Sequence, residues 1–515
     1  MTVGDWSGCG RKCSALVAWG GHMSRYASRW WRVRSRASII ALAASIAVTL
    51  PAAAQPSSES RLIVGGGAGV GTLEGALALA YQCNPQLNAQ RAATRATDEN
   101  VPTALAGNRP RVTGTASLTE QYIDSVVKST AASGAPIYSQ IKGATAQPLF
   151  GVTATQTLFN GFQNGNRTRQ AEGQVFAARE TLRTIEESVL LSAATAYMNL
   201  LRDAAVLDLQ RSNVNVLEVT LRQTRDRFTA GEVTRTDVAQ AEASLASGRS
   251  QLAQAESNYV TSRANYRQVI CVEPPARLAP AGTVDRFFPR TVDGAVARGR
   301  SENPNITTAM YNVDIAALQV KVAEGSLYPT LAAVGNVQKG WGGTATSLFS
   351  PEFLAASVAA QLTVPLYQGG SEYAVIRQAK ETLGQQRLNL DLTRDQVQSL
   401  VIQSWGQNES TKAQISATTA QVTAAEVALN GVREEARVGQ RTTLDVLNAQ
   451  QALVNARVSL VTAQHDRVVA SYSVLSAVGG LSPQILGLPI EVYNPMVHYQ
   501  QVRDAWGGVR IPDGR

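Results

Sequence analysis

Two stretches of more than a hundred residues each lack proline: none of the 19 prolines falls within 149–273 or 366–482. Proline removes a backbone donor and clashes with the preceding turn, so such runs admit very long helices. Inside the first run, apolar residues recur at helical spacing: Leu182, Ile185, Val189, Ala193, Ala196, Tyr197 and Leu200. In the second, Leu453, Leu460, Ala463 and Val468 do so less regularly. Each run carries one turn signal, Phe228-Thr229-Ala230-Gly231 and Arg437-Val438-Gly439, whose glycine supplies a left-handed residue for a reversal. Each run therefore reads as a hairpin of long antiparallel helices. At about 1.5 Å per residue, 165–226 would reach roughly 90 Å if unbroken. Helices this long need neighbours along their length, as in a coiled coil or a barrel of helices.

The two hairpins belong to an internal duplication. Thr72-Leu73-Glu74-Gly75-Ala76-Leu77-Ala78 matches Thr291-Val292-Asp293-Gly294-Ala295-Val296-Ala297, and Asn84-Pro85 matches Asn303-Pro304. Further along, Leu158-Phe159-Asn160-Gly161 matches Leu366-Tyr367-Gln368-Gly369. Gly231, Thr234, Asp237 and Arg249 then match Gly439, Thr442, Asp445 and Arg457. The offset falls from 219 to 208 between these groups, as loop trimming would produce. One unit covers 72–290 and the other 291–482, with a tail at 483–515.

Ahead of each hairpin the periodicity changes to two. Val112, Gly114, Ala116 and Leu118 alternate with Thr113, Thr115, Ser117 and Thr119; Val358, Ala360, Leu362, Val364 and Leu366 alternate with smaller or more polar residues. This is the pattern of strands with one apolar face. It predicts strands at about 110–126 and 147–161, and at 329–341 and 356–368. The Gly-, Ser-, Ala- and Thr-rich segments 127–146 and 342–355 read as connections. Tyr122, Phe150, Phe159, Tyr328, Trp341 and Tyr367 stand near strand ends, where membrane barrels carry aromatic belts. Four strands cannot close a barrel, because unpaired edges would meet lipid, whereas three chains giving twelve strands could.

The formal charge of +8 does not point to nucleic acid. Residues 1–54 hold seven Lys/Arg against Asp5, a net of +6, leaving +2 for the remainder and no basic stripe with interleaved aromatics. That segment reads as a secretory signal, with a charged region at Arg29–Arg36, an apolar Ala37–Leu50 and small residues at Pro51–Ala54. Met23 is a second candidate start, and no Cys follows the cleavage region to carry a lipid. Residues 55–71 read as a flexible linker; their Gly65–Gly71 run lacks the Lys-Ser/Thr of a phosphate loop. The three histidines, His22, His465 and His498, are far apart, so no metal or cofactor site is expected, and no nucleophile elbow or paired-acid signature supports an enzyme. Two readings remain: an export channel and a periplasmic coiled-coil adaptor. The period-two strands favour the channel.

The order of signal peptide, helix, strand pair and long helical hairpin, duplicated over 72–482, resembles the TolC family of outer-membrane factors. The most specific piece is Gly439-Gln440-Arg441-Thr442-Thr443-Leu444-Asp445-Val446-Leu447-Asn448-Ala449, similar to the family's inner-tip motif G-x-R-T-x-x-D-V-L-D-A. Gly231–Ala239 is a weaker copy. The resemblance implies a mainly α fold with a β membrane part. In it a homotrimer forms a 12-stranded β-barrel in outer-membrane lipid and a 12-helix α-barrel across the periplasm. It implies an exit duct working with a periplasmic adaptor and an inner-membrane ABC or proton-driven transporter. Glu491–Pro495, His498-Tyr499 and Val502–Trp506 resemble tails of the type I secretion branch, which favours that route over drug efflux. The implied entrance gate is Asp445 and Arg441, with Asp237 in support and Asn448 where the family often has a second acid. Helix capping is the competing role for both aspartates, weakened by reading them as lying several residues inside their helices. In an up-and-down fold Cys83 and Cys271 fall at one level, so a disulfide between them is expected, with two buried thiols as the alternative.

Overall fold

The computed structural model describes residues 71–341 and 352–512. The signal segment, residues 55–70 of the linker and the stretch 342–351 lie outside the described residues. Helix α1 (Leu73–Cys83) starts at Thr72, whose hydroxyl accepts the Gly75 N–H at 3.2 Å; α6 (Val292–Glu302) starts at Thr291 with the same bond to Gly294. Each stops at an Asn-Pro pair that opens the next helix, α2 (Pro85–Asp98) and α7 (Pro304–Glu324). Proline fits the first helical position because its missing N–H is not needed there. The asparagine caps it: Asn84 Oδ1 accepts from Gln86 and Asn303 Oδ1 from Asn305, both at 2.9 Å. The short α3 (Asn100–Leu105) completes the first approach to the sheet.

Four strands follow in the antiparallel order β1-β2-β3-β4: Arg111–Thr130, Pro136–Asn160, Thr330–Gly340 and Phe353–Thr363. The first hairpin is longer than the sequence pattern predicts, because most of 127–146 is strand. Its ladder runs to Thr130↔Pro136, held by Lys142 beside Asp124 at 3.3 Å and Lys128 over the Tyr138 ring. Small polar residues had suggested a loop, but Val126, Val127, Ile137 and Tyr138 favour the extended state. Strand β4 begins earlier and stops at Thr363, short of 368, since Pro365 cannot donate to a ladder.

The helical hairpins match expectation. Helices α4 (Gln163–Thr229) and α8 (Ser371–Arg437) each have 67 residues, about 100 Å. They return through α5 (Arg235–Ile270) and α9 (Thr443–Ala477) after Gly231 and Gly439, both at φ 80°. The two units also share contacts: Arg249 to Glu218 and Arg457 to Glu426, both at 2.8 Å and both related by the offset of 208. The main core lies where α1, α4, α5, α6 and α9 meet, around the fully buried Tyr81, Tyr197 and Tyr266. The tail, with α10 (Pro483–Leu486) and α11 (Pro495–Val502), folds back over the first unit. Arg91 lies over the rings of Tyr81 and Tyr493, Arg179 over Tyr499, and Arg109 over Trp506, while buried His498 meets buried Asp98 at 2.9 Å. Burial pushes the Asp98 pKa up, and the His498 bond opposes this.

The two long helices are not equivalent. Helix α4 buries 22 residues and α8 only nine, leaving Leu388, Leu392, Leu400, Ile402 and Val427 exposed. A helix of this length with unpartnered leucines one turn apart is built to be covered by another chain.

The joints between strand and helix give a test. Gly161 (φ 64°) and Gly369 (φ 70°) are equivalent, but a Cβ on Gly161 would lie 2.2 Å from the Gly325 carbonyl, whereas Gly369 faces open space. Gly369→Ala should cost about 1–2 kcal/mol through its backbone angle alone. Gly161→Ala should cost clearly more, lowering the melting temperature further at the same scan rate. Equal shifts would refute the close approach.

Candidate functional site: a two-faced wall and paired hairpin tips

Cross-strand partners in register share a face. One face carries Val112, Ala154, Gly335 and Val358 in one row, Val152, Val337 and Ala356 in the next, and Phe150, Lys339 and Leu354 in a third. Leu118 extends it on β1, and a bulge at Leu158 brings Phe159 opposite Leu331 and Leu362. Most of the large apolar side chains here are exposed in the single chain, Val358 at 90% and Leu354 at 71%, while Phe159 and Leu331 are half-buried. The other face carries Thr113, Thr153, Asn336 and Ser357, then Thr115 and Gln338, then Thr157 and Gln361. A sheet with an exposed apolar side and a polar reverse separates lipid from water.

The aromatics fall at two levels. Phe159, Phe162, Tyr328 and Tyr367 stand at the helix-proximal end. At the far end Phe150 packs edge-on against Trp341 at 5.8 Å, and Lys339 lies over the same indole. Tyr122 lies beyond this level on the β1–β2 ribbon, away from the belt. Among the described residues no helix is long and apolar enough to cross a membrane. Both outer strands, β1 and β4, have one unpaired edge in the single chain.

Such a wall, continued into two long helical hairpins, defines a subunit of an outer-membrane export duct. The chain belongs to the outer membrane efflux protein family, whose model matches residues 76–271 and 297–480. It is 38% identical over 450 residues to the outer membrane efflux protein BepC of Brucella suis, covering 86% of this chain and 93% of that one. Over 321 residues it is 27% identical to the alkaline protease secretion protein AprF of Pseudomonas aeruginosa, covering 61% and 66%. Over 318 residues it is 26% identical to the outer membrane protein TolC of Escherichia coli, covering 59% and 64%. The Campylobacter jejuni CmeC channel superposes with a TM-score of 0.69 at 16% identity, covering 84% of this chain and 89% of that one. The VceC protein of Vibrio cholerae superposes at 0.65 with 20% identity, covering 79% and 96%. Channels of this family are homotrimeric transport ducts in the outer membrane that extend into the periplasm; they are not enzymes. Closing four strands from each of three chains gives the twelve-stranded barrel.

At the opposite end from the sheet, the two hairpin tips lie side by side around a groove of about 870 Å³. Asp237 and Arg441 line it, together with Arg227, Arg433, Arg437 and Glu232. Asp445 and Asn448 are not among its lining residues; Asn448 is exposed on α9. Both aspartates occupy the third helical position, nearer the helix start than the sequence reading placed them. Thr442 caps α9: the Asp445 carboxylate accepts its N–H at 3.0 Å and its hydroxyl at 2.9 Å, and the Thr442 hydroxyl accepts the Asp445 N–H. Thr234 and Asp237 repeat the arrangement on α5. These are capping boxes, written in the sequence as T-x-x-D, so capping, the competing role for both aspartates, is one that they do perform. The Thr442 bonds hold the Asp445 carboxyl below its ordinary range, and the Thr234 bonds do the same for Asp237.

Arg441 pairs through Nε with Glu435 of its own chain at 2.8 Å, bridging the turn between α8 and α9. That bond raises its pKa further. Apart from Arg441, neither Glu435 nor the arginines lining the groove (Arg227, Arg433 and Arg437) stand out as site residues in the sequence, because charges on a solvated helix end carry no distinctive spacing. A substitution at Asp445 therefore changes helix capping as well as charge. Asp445→Ala should speed amide hydrogen exchange across 443–446, while Asp445→Asn, which keeps an acceptor, should leave it close to wild type. Equal acceleration in both variants would show that the cap depends on charge rather than on the hydrogen bonds.

Proposed function

We propose that the chain forms a trimeric exit duct whose inner aperture is set by the α4–α5 and α8–α9 tips, and that type I protein secretion is its route. The observation that carries the duct is the sheet with an apolar and a polar face, open at both edges and continuous with the hairpins, and what supports the route is the tail at Glu491–Pro495, His498-Tyr499 and Val502–Trp506. A periplasmic adaptor and an inner-membrane ABC transporter would engage the tips. A second reading, small-molecule efflux, draws support from the similarity to BepC, which is described as an efflux protein, whereas AprF is described as a protease secretion protein. Deleting the gene should remove a secreted protein from the medium without changing sensitivity to dyes and detergents. The reverse pattern would replace secretion with efflux.

Within this reading Asp445 supplies the charge of the entrance. Threefold symmetry would set three carboxylates around one axis. Their mutual repulsion opposes ionisation, while each capping box favours it. The charge is thus present at neutral pH and is lost as pH falls through the lowered pKa. The ring favours cations and weakly holds multivalent ones, more so at low ionic strength, and Asn448 leaves it weaker than a double acidic ring. Asp237, on the groove between tips, adds to the same field. Arg441 uses one of its five donors on Glu435, leaving others to reach a neighbouring copy and hold the tip closed.

In planar-bilayer recordings Asp445→Asn should lower cation selectivity and multivalent block with the trimer intact. Arg441→Glu should raise leak conductance. Unchanged selectivity in the first and unchanged leak in the second would place the gate elsewhere.

A further inference from the structure

The duplication shows what stands at the position of Cys271. In the second unit Asn303 Nδ2 donates to the Ala477 carbonyl at 2.9 Å, fastening the start of α7 to the end of α9. Two residues on, Gly479 turns the chain at φ 85°, and a Cβ there would lie 2.7 Å from Asn303 Cα and 2.8 Å from the Glu302 carbonyl. In the first unit Asn84 Nδ2 donates to the Val269 carbonyl at 3.0 Å, the same clasp. The residue in the place of Gly479 is Cys271, at φ 65°, and the residue in the place of Glu302 is Cys83.

A side chain in the left-handed region is strained, and glycine is the ordinary solution. Among the described residues only Phe162 and Cys271 are non-glycines there. By the internal symmetry, the Cβ of residue 271 projects toward the backbone of 83 and 84. The Cys83 thiol is already at this point, donating to the Ile270 carbonyl at 3.2 Å. Its pKa is pushed up by burial first and by its interaction with Cys271 next. Both thiols are unbonded in the structure; Cys83 is half-buried and Cys271 exposed.

We infer that Cys83 and Cys271 form an intrachain disulfide in the periplasm, a covalent staple between α1 and the end of α5 in place of the glycine used by the second unit. The oxidant is a periplasmic protein disulfide of the thiol-oxidase class. The exposed Cys271, as thiolate, attacks one sulfur of that disulfide and releases the other as a thiolate. Cys83 then loses its proton and attacks Cys271 Sγ, expelling the oxidant's remaining sulfur. Two thiols of this chain become one disulfide, and the oxidant's disulfide becomes a dithiol. The strain at residue 271 is offset because the closed ring restricts the unfolded chain.

The test uses full-length protein expressed through the periplasm and purified from outer membranes. Denatured without reductant, wild type should resist maleimide alkylation at both cysteines and gain two reactive thiols after reduction. Cys83→Ser and Cys271→Ser should each leave the other thiol free. The glycine variant separates a staple from a structural thiol. Without reductant, Cys271→Gly should melt several degrees below wild type. With reductant it should melt at or above wild type, because glycine relieves the backbone. Two freely alkylated thiols in untreated wild type, a disulfide joining two chains, or a Cys271→Gly variant as stable as wild type without reductant would each overturn the inference.

Discussion

Everything above the inner tip depends on one constraint: a backbone group facing lipid must be hydrogen-bonded within the protein. The four strands satisfy it internally at β1–β2, β2–β3 and β3–β4 and leave it unsatisfied at the free edges of β1 and β4. Closure can come only from another copy. The chain is therefore incomplete as a monomer, and its apolar face, with Val358 and Leu354 outward, has no stable environment until the barrel closes in lipid.

The helical part follows the same rule in a different currency. Helix α4 is wrapped by elements of its own chain, whereas α8 keeps a row of leucines, an isoleucine and valines in solvent. Duplication would by itself produce two similar hairpins. The difference in burial arises because α7 and α9 of the second unit also pack along α4, whereas α8 packs on α6, α7 and α9 of its own unit. Arginine–aromatic stacking by Arg91, Arg109 and Arg179 fastens the returning tail, a use of cations that hold their charge while covering apolar rings.

At the tips, the residues proposed to form the entrance are also the ones that cap the returning helices. Thr234–Asp237 and Thr442–Asp445 end the turns by satisfying the first backbone donors of α5 and α9, and the acids so fixed sit at the inner end of the duct. Charge held on a rigid helix start is better placed than charge on a loose loop, since its position is set by backbone geometry. Of the two acids fixed in this way, Asp237 lines the groove together with the arginines.

Periodicity and proline placement were sufficient for the repeats, the four long helices, their glycine turns and the existence of four strands, because each depends on local conformational preference. The same local information carries the T-x-x-D boxes that make both aspartates helix caps. Strand ends were less legible. The ribbon through Thr130 and Pro136 is held by pairs such as Asp124 with Lys142, which only cross-strand register brings together. The contact of Arg441 with Glu435 and the latch of His498 on Asp98 some 400 residues earlier in the chain were beyond sequence alone, whereas the approach of Cys83 to the end of α5 followed from the up-and-down order of the helices. A chain encodes its local geometry residue by residue, but which distant side chains meet is decided by how the long elements pack, and that is a property of the whole fold.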